Sequence, residues 1–174
     1  MQLDSGDLLL LEPSAFELKD TLFTWWNGCR FSRCGIIMKK GGIDYCVECR
    51  GRTMGGKFFI VTQTVSSLFR ENQGKLWYRK LGHPREENFT TRLALVLELA
   101  QMLPVALGEY SDYSGAFLGY IYRYLDVLPN ETLWKNTEIS DFQTRSETET
   151  KPNLKLLWLY PVSKEFLVKQ DTFS

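Results

Sequence analysis

The sequence predicts an α+β fold, a curved antiparallel sheet of about six strands packed against two main helices, in one domain over residues 1–174. Three observations lead to that reading. Short apolar or alternating runs parted by glycine and proline turns occupy the chain as far as residue 80, two stretches with helical periodicity follow, and a β-rich run lies near the end. With 44% apolar and 14% aromatic residues among 174 there is material for one core, and no repeat or low-complexity tract signals a second domain.

Leu8, Leu9, Leu10 and Leu11 follow Ser5-Gly6-Asp7 and end at Glu12-Pro13, the pattern of a strand covered on both faces, at 8–11. An aromatic connection over 14–30 holds Phe23, Trp25 and Trp26, which are expected to fill the core. Strands are expected at 31–38 and 43–49, joined by a glycine-containing hairpin turn at 39–42. Another is expected at 57–64, where KFFIVTQT is β-branched and aromatic. Residues 66–72 read as a short helical or loop element and 75–80 as a fifth strand. A last strand is expected at 154–160, LKLLWLY, beyond a polar surface loop at 136–153.

His83-Pro84 is expected to open a helix over 85–103. Proline suits a first-turn position, and Glu86 and Glu87 suit the positive end of the helix dipole. Apolar residues at 89, 93, 96, 97, 100 and 103 hold the 3.6 period. A second helix is expected over 114–128, with Phe117, Leu118, Ile121, Tyr124 and Leu125 inward and Pro129-Asn130 as its stop.

Basic and acidic residues balance at 21 each, which argues against a charge-driven binder of nucleic acid or of an anionic membrane. The longest apolar stretch, 93–107, is interrupted by Glu98, Gln101 and Pro104 and falls short of the ~20 residues that cross a bilayer, so no transmembrane segment is expected. The first residues carry two acids and no basic n-region, so a cytoplasmic location is expected. Cys29, Cys34, Cys46 and Cys49 have spacings that suggest a zinc ribbon on paper. The surroundings of Cys34, Cys46 and Cys49 read as strands, however, and strand residues three apart, such as Cys46 and Cys49, face opposite ways. Buried free thiols are expected, with no metal and no other cofactor.

Four motifs occur in order between Ser5 and about Phe142. They are Gly6-Asp7 before the leucine strand, Phe31-Ser32-Arg33-Cys34-Gly35-Ile36, Tyr45-Cys46-Val47-Glu48, and Ser114-Gly115-Ala116-Phe117-Leu118-Gly119-Tyr120. Together they resemble the circularly permuted NlpC-like superfamily of papain-fold hydrolases, which includes YiiX-type bacterial proteins, lecithin retinol acyltransferase relatives and a poxvirus member. The resemblance implies the permuted papain-like form of the α+β fold. It also implies a site with a histidine at position 33, an orienting polar residue, commonly Glu, at position 48, and a nucleophilic cysteine opening a helix at position 114. Here Arg33 and Ser114 replace the two principal catalytic residues, and Glu48 matches.

In such enzymes the thiolate attacks, and a serine hydroxyl in its place needs a strong base nearby. Arg33 stays protonated and cannot be that base. The plainer roles are an N-cap for Ser114, worth about 1 kcal/mol, and a cross-strand ion pair of Arg33 with Glu48 beside the start of that helix. His83, the one histidine, lies in a turn and reads as an exposed polar residue.

The leading expectation is therefore a catalytically inactive papain-fold domain acting as a structural or binding protein with protein partners. Because the resembling superfamily includes proteins of large DNA viruses, a minor component of a virus particle, located in the virion, is a specific form of it. The alternative is an active cysteine- or serine-type amide or ester hydrolase or acyltransferase, using Ser114 or a relocated Cys29 with His83.

Overall fold

The computed structural model describes residues 3–14, 21–22, 24–25, 29–72, 74–82, 84–102, 113–128, 134–142 and 166–168. Leu8–Glu12 (β1) runs through the middle of an open antiparallel sheet, between Arg33–Lys40 (β2) and Lys75–Arg79 (β5). Ile43–Arg52 (β3) and Phe58–Thr64 (β4) extend the sheet beyond β2, and Phe166–Val168 (β6) extends it beyond β5. The strand order is β4-β3-β2-β1-β5-β6.

The central place of β1 accounts for its unbroken leucine run. Leu8 and Leu10 enter the core on one face, Leu9 and Leu11 the core on the other, and none is more than 4% exposed. The β2–β3 turn is the two-residue kind. Lys40 pairs with Ile43, and Gly41 and Gly42 take φ of 59° and 77°, conformations a side chain would strain.

Two helices cover the first face, Phe89–Met102 (α2) and Tyr113–Tyr124 (α3). Phe89, Leu93, Phe117 and Ile121 pack there with Leu8, Cys34, Val47 and Phe58. Val65–Glu71 (α1) lies on the second face, its Val65 and Leu68 against Leu9, Ile37 and Cys46. Thr64 caps α1, its hydroxyl accepting the Ser67 N–H at 3.1 Å. The element expected at 66–72 is thus a helix.

Several expected boundaries move, each for a local reason. α2 starts at Phe89, not at 85, so Pro84, Glu86 and Glu87 lie ahead of it. The Phe89 and Arg92 N–H groups are the ones that reach back, to Glu86 and Asn88 carbonyls. Arg85 is instead drawn toward β1, its Nε donating to the Ser5 carbonyl at 2.7 Å. α3 ends at Tyr124 rather than at 128, because Asp126 turns left-handed at φ 58° and the Val127 and Leu128 N–H groups fold back onto the Tyr122 carbonyl. Tyr124, expected inward, is exposed. Of the surface loop expected at 136–153, the start is anchored, since Ile139 and Phe142 are buried in a 3-10 turn over Ile139–Phe142. Residues 143–153 and the strand expected at 154–160 lie outside the described residues, and the sixth strand described is β6.

Candidate functional site

Arg33 opens β2, and Gly35, two residues on, stands opposite Glu48 of β3. Residues two apart on a strand share a face, so Arg33 and Glu48 are diagonal neighbours, and their charged groups come to 3.6 Å. Arg50 lies 3.5 Å from the other carboxylate oxygen, and Gln63 of β4 donates to that oxygen at 3.0 Å. Glu48 is 1% exposed, so this is a nearly dry carboxylate held by two guanidinium groups and an amide. The expected Arg33–Glu48 ion pair is therefore present, as part of a larger cluster.

Gly35 makes room for that cluster. A Cβ there would fall on the Cys46 sulfur and 3.0 Å from Glu48 Cγ. Cys46 shares the face, and burial, reinforced by the negative charge of Glu48, pushes its thiol well above the usual range. A thiol so placed stays protonated and is a poor nucleophile.

Ser114 occupies a different place. It is the second residue of α3, inside the first turn, so it is not the expected N-cap. Its hydroxyl donates to the Cys49 carbonyl at 2.9 Å, and the side chain is buried. Cys49 belongs to the core on the first face, with Phe117 and Ile121 of α3, whereas Glu48 points to the second face with Cys46. The backbone of β3 thus stands between Ser114 and the Arg33–Glu48 pair. Two of the three positions meet, and the third faces away across the sheet, which corrects the expectation that all three gather at the start of that helix.

Cys46 and Cys49 lie on opposite faces, as strand alternation requires, and Cys29, Cys34 and Cys49 line the first-face core. All four cysteines are buried, and none is in a disulfide. Among the described residues no group of three or more His, Cys, Asp or Glu side chains could hold a metal ion. His83 lies outside the described residues, as do Phe23 and Trp26. Trp25, expected in the core, is 79% exposed.

The most elaborate polar centre is one the sequence reading left as a bare motif. Asp7, fully buried, accepts from Tyr78 Oη at 2.6 Å and from the N–H groups of Leu81 and Asp4 at 2.9 Å each, and it is ion-paired with Arg85. Tyr122 of α3 donates to the neighbouring Gly6 carbonyl at 2.7 Å. Asp7 thereby ties β1, β5 and the approach to α2 together. A lone acid before four leucines is the only sequence signal, and it names none of the partners.

A cavity of about 320 Å³ lies between α2 and the sheet, bounded by Met38, Lys40, Val47, Thr62, Leu97 and Glu98 among others. Neither Ser114 nor the Arg33–Glu48 pair lines it. No helix described is long and apolar enough to cross a membrane. Compared with known proteins, the chain matches no family model and no curated sequence.

Proposed function

We propose that this chain is a non-catalytic domain, a degenerate relative of the permuted NlpC-like hydrolases, that acts by holding protein partners within a larger assembly. The single observation carrying the reading is the separation of Ser114 from Arg33 and Glu48 by the β3 backbone, with the Ser114 hydroxyl committed to the Cys49 carbonyl. A serine nucleophile needs a base within hydrogen-bond reach. Arginine does not accept a proton, and the Glu48 carboxylate, on the far face, has Arg50 and Gln63 at one oxygen and the Arg33 guanidinium 3.6 Å from the other. The four motifs in family order support the ancestry, and a virus particle is the specific assembly that this ancestry suggests.

Treating the native protein with a fluorophosphonate and, separately, with iodoacetamide tests the reading. It predicts no stoichiometric labelling of Ser114 and slow labelling of Cys29, Cys34, Cys46 and Cys49 until the chain is unfolded. Rapid, selective modification of Ser114 or Cys29 in the folded protein would restore the hydrolase alternative.

A further inference from the structure

Cys29, Cys34 and Cys49 line the first-face core, and two of them face one another. β2 and β3 pair antiparallel with Ile36 opposite Val47 and Gly35 opposite Glu48, and one further step along that register sets Cys34 opposite Cys49. Lys40 and Ile43 close a two-residue turn and so exchange hydrogen bonds. Alternation from that pair makes Cys34 and Cys49 a hydrogen-bonded pair as well. Ile37 agrees with this, since its N–H and C=O turn the other way, to Asp7 and Gly6 just ahead of β1. In such a pair the Cα atoms stand about 5.5 Å apart, a separation common among bridged cysteines. Cys46 is on the second face, and Cys29 lies outside the strands, ahead of β2.

We infer that Cys34 and Cys49 are the site of a cross-strand disulfide, formed by exchange with a low-molecular-weight disulfide of the glutathione class. One protein thiolate attacks the small disulfide, giving a mixed disulfide and expelling one small thiol. The second attacks the protein sulfur of that mixed disulfide and expels the other. Two protein thiols are thereby oxidised, the small disulfide is reduced to two thiols, and the protons of Cys34 and Cys49 pass to them. Cβ atoms of opposed residues stand about 4.5–5.5 Å apart, against about 3.5–4.5 Å in a disulfide, so β2 and β3 close slightly. β3 has slack for this, because its register with β4 shifts between Cys49 and Arg52. The Cys49 thiol gives up its 3.2 Å bond to the Gly51 carbonyl, and sulfur is a weak donor. With Cys34 at 0% and Cys49 at 2% exposure, exchange occurs when the strands open, and the closed sheet then shields the bond from external thiols. The inference rests on strand register and holds whether or not Ser114 is inert.

The test holds the full chain in mixtures of oxidised and reduced glutathione, starting both from folded protein and from protein refolding out of urea, followed by an acid quench and alkylation. Trypsin cuts after Arg30, Arg33, Lys40 and Arg50, so Cys29 and Cys34 fall on separate peptides, while Cys46 and Cys49 share one and are told apart by fragmentation. The Cys34–Cys49 bond is expected in at least about tenfold excess over any other cysteine pairing. The oxidised chain is expected to unfold at a higher temperature than the reduced one. Any of four results overturns the inference: no disulfide even in excess oxidised glutathione, a chain that stops at the mixed disulfide, a predominant pair that includes Cys29 or Cys46, or an unfolding midpoint lowered by oxidation.

Discussion

Tyr78 donates its hydroxyl to the buried Asp7 carboxylate, a bond that adds to the effect of burial in setting the protein's response to alkali. Burial first, and then the hydrogen bond to Asp7, raise the Tyr78 phenol far above its ordinary value, and burial does the same for Tyr122. An unfolded tyrosine loses its proton near pH ~10 while the folded one keeps it, so the folded state binds more protons and stability falls as pH rises past that point. The stabilisation is fully present below pH ~10. Urea unfolding between pH 7 and pH 11 is expected to show this decline. Tyr78→Phe should cost about 1–2 kcal/mol at neutral pH through the lost bond to a buried acid, and should flatten the alkaline slope without abolishing it, because Tyr122 remains. At this scale the sequence disclosed the Arg33–Glu48 pair, since both residues lie on adjacent strands in a recognisable motif. It concealed the Asp7 centre, whose partners Tyr78 and Arg85 are more than 70 residues away.

Glycines at 115 and 119 decide how α3 is covered. They sit four residues apart and so share one side of the helix. A Cβ on Gly115 would come within 2.5 Å of the Glu138 backbone, and one on Gly119 within 2.9 Å of the Trp134 carbonyl. The 3-10 turn at Trp134–Asn136 and the Thr137–Glu138 link to the next turn, Ile139–Phe142, therefore lie directly on helix backbone. Gly119→Ala is expected to destabilise the fold by about 1–3 kcal/mol through overpacking, although alanine favours helix, and thermal unfolding checks the sign. Helix existence was legible because the apolar period of α2 survives in Phe89, Leu93, Val96, Leu97 and Ala100, all buried. Helix ends were less so. Pro84 looked like an entry signal, yet Arg85 is bonded to Ser5 and Asp7, and that tertiary demand outweighs the local preference of the 84–87 segment. The stop at Asp126 depends on a left-handed residue and on Arg92, which bonds Asp126 at 2.6 Å from another helix.

At the scale of the molecule, alternation along β2 and β3 assigns Arg33 and Glu48 to the second face, the packing of α3 assigns Ser114 to the first, and the functional reading follows from that assignment. The sheet and its antiparallel meander could be read from hydrophobic pattern and turns. Placement of α3 could not, because a motif such as Ser114 to Tyr120 fixes a helix but not the sheet face it covers. That face separates a site from three unrelated positions. The double variant Arg33→His/Ser114→Cys, with the iodoacetamide reaction of the new thiol followed against pH, tests the separation most directly. With β3 between imidazole and sulfur, the thiol at position 114 should titrate at or above the free-cysteine value of ~8.5. A thiolate present well below that pH and dependent on the new histidine would place both groups in one site and contradict the account.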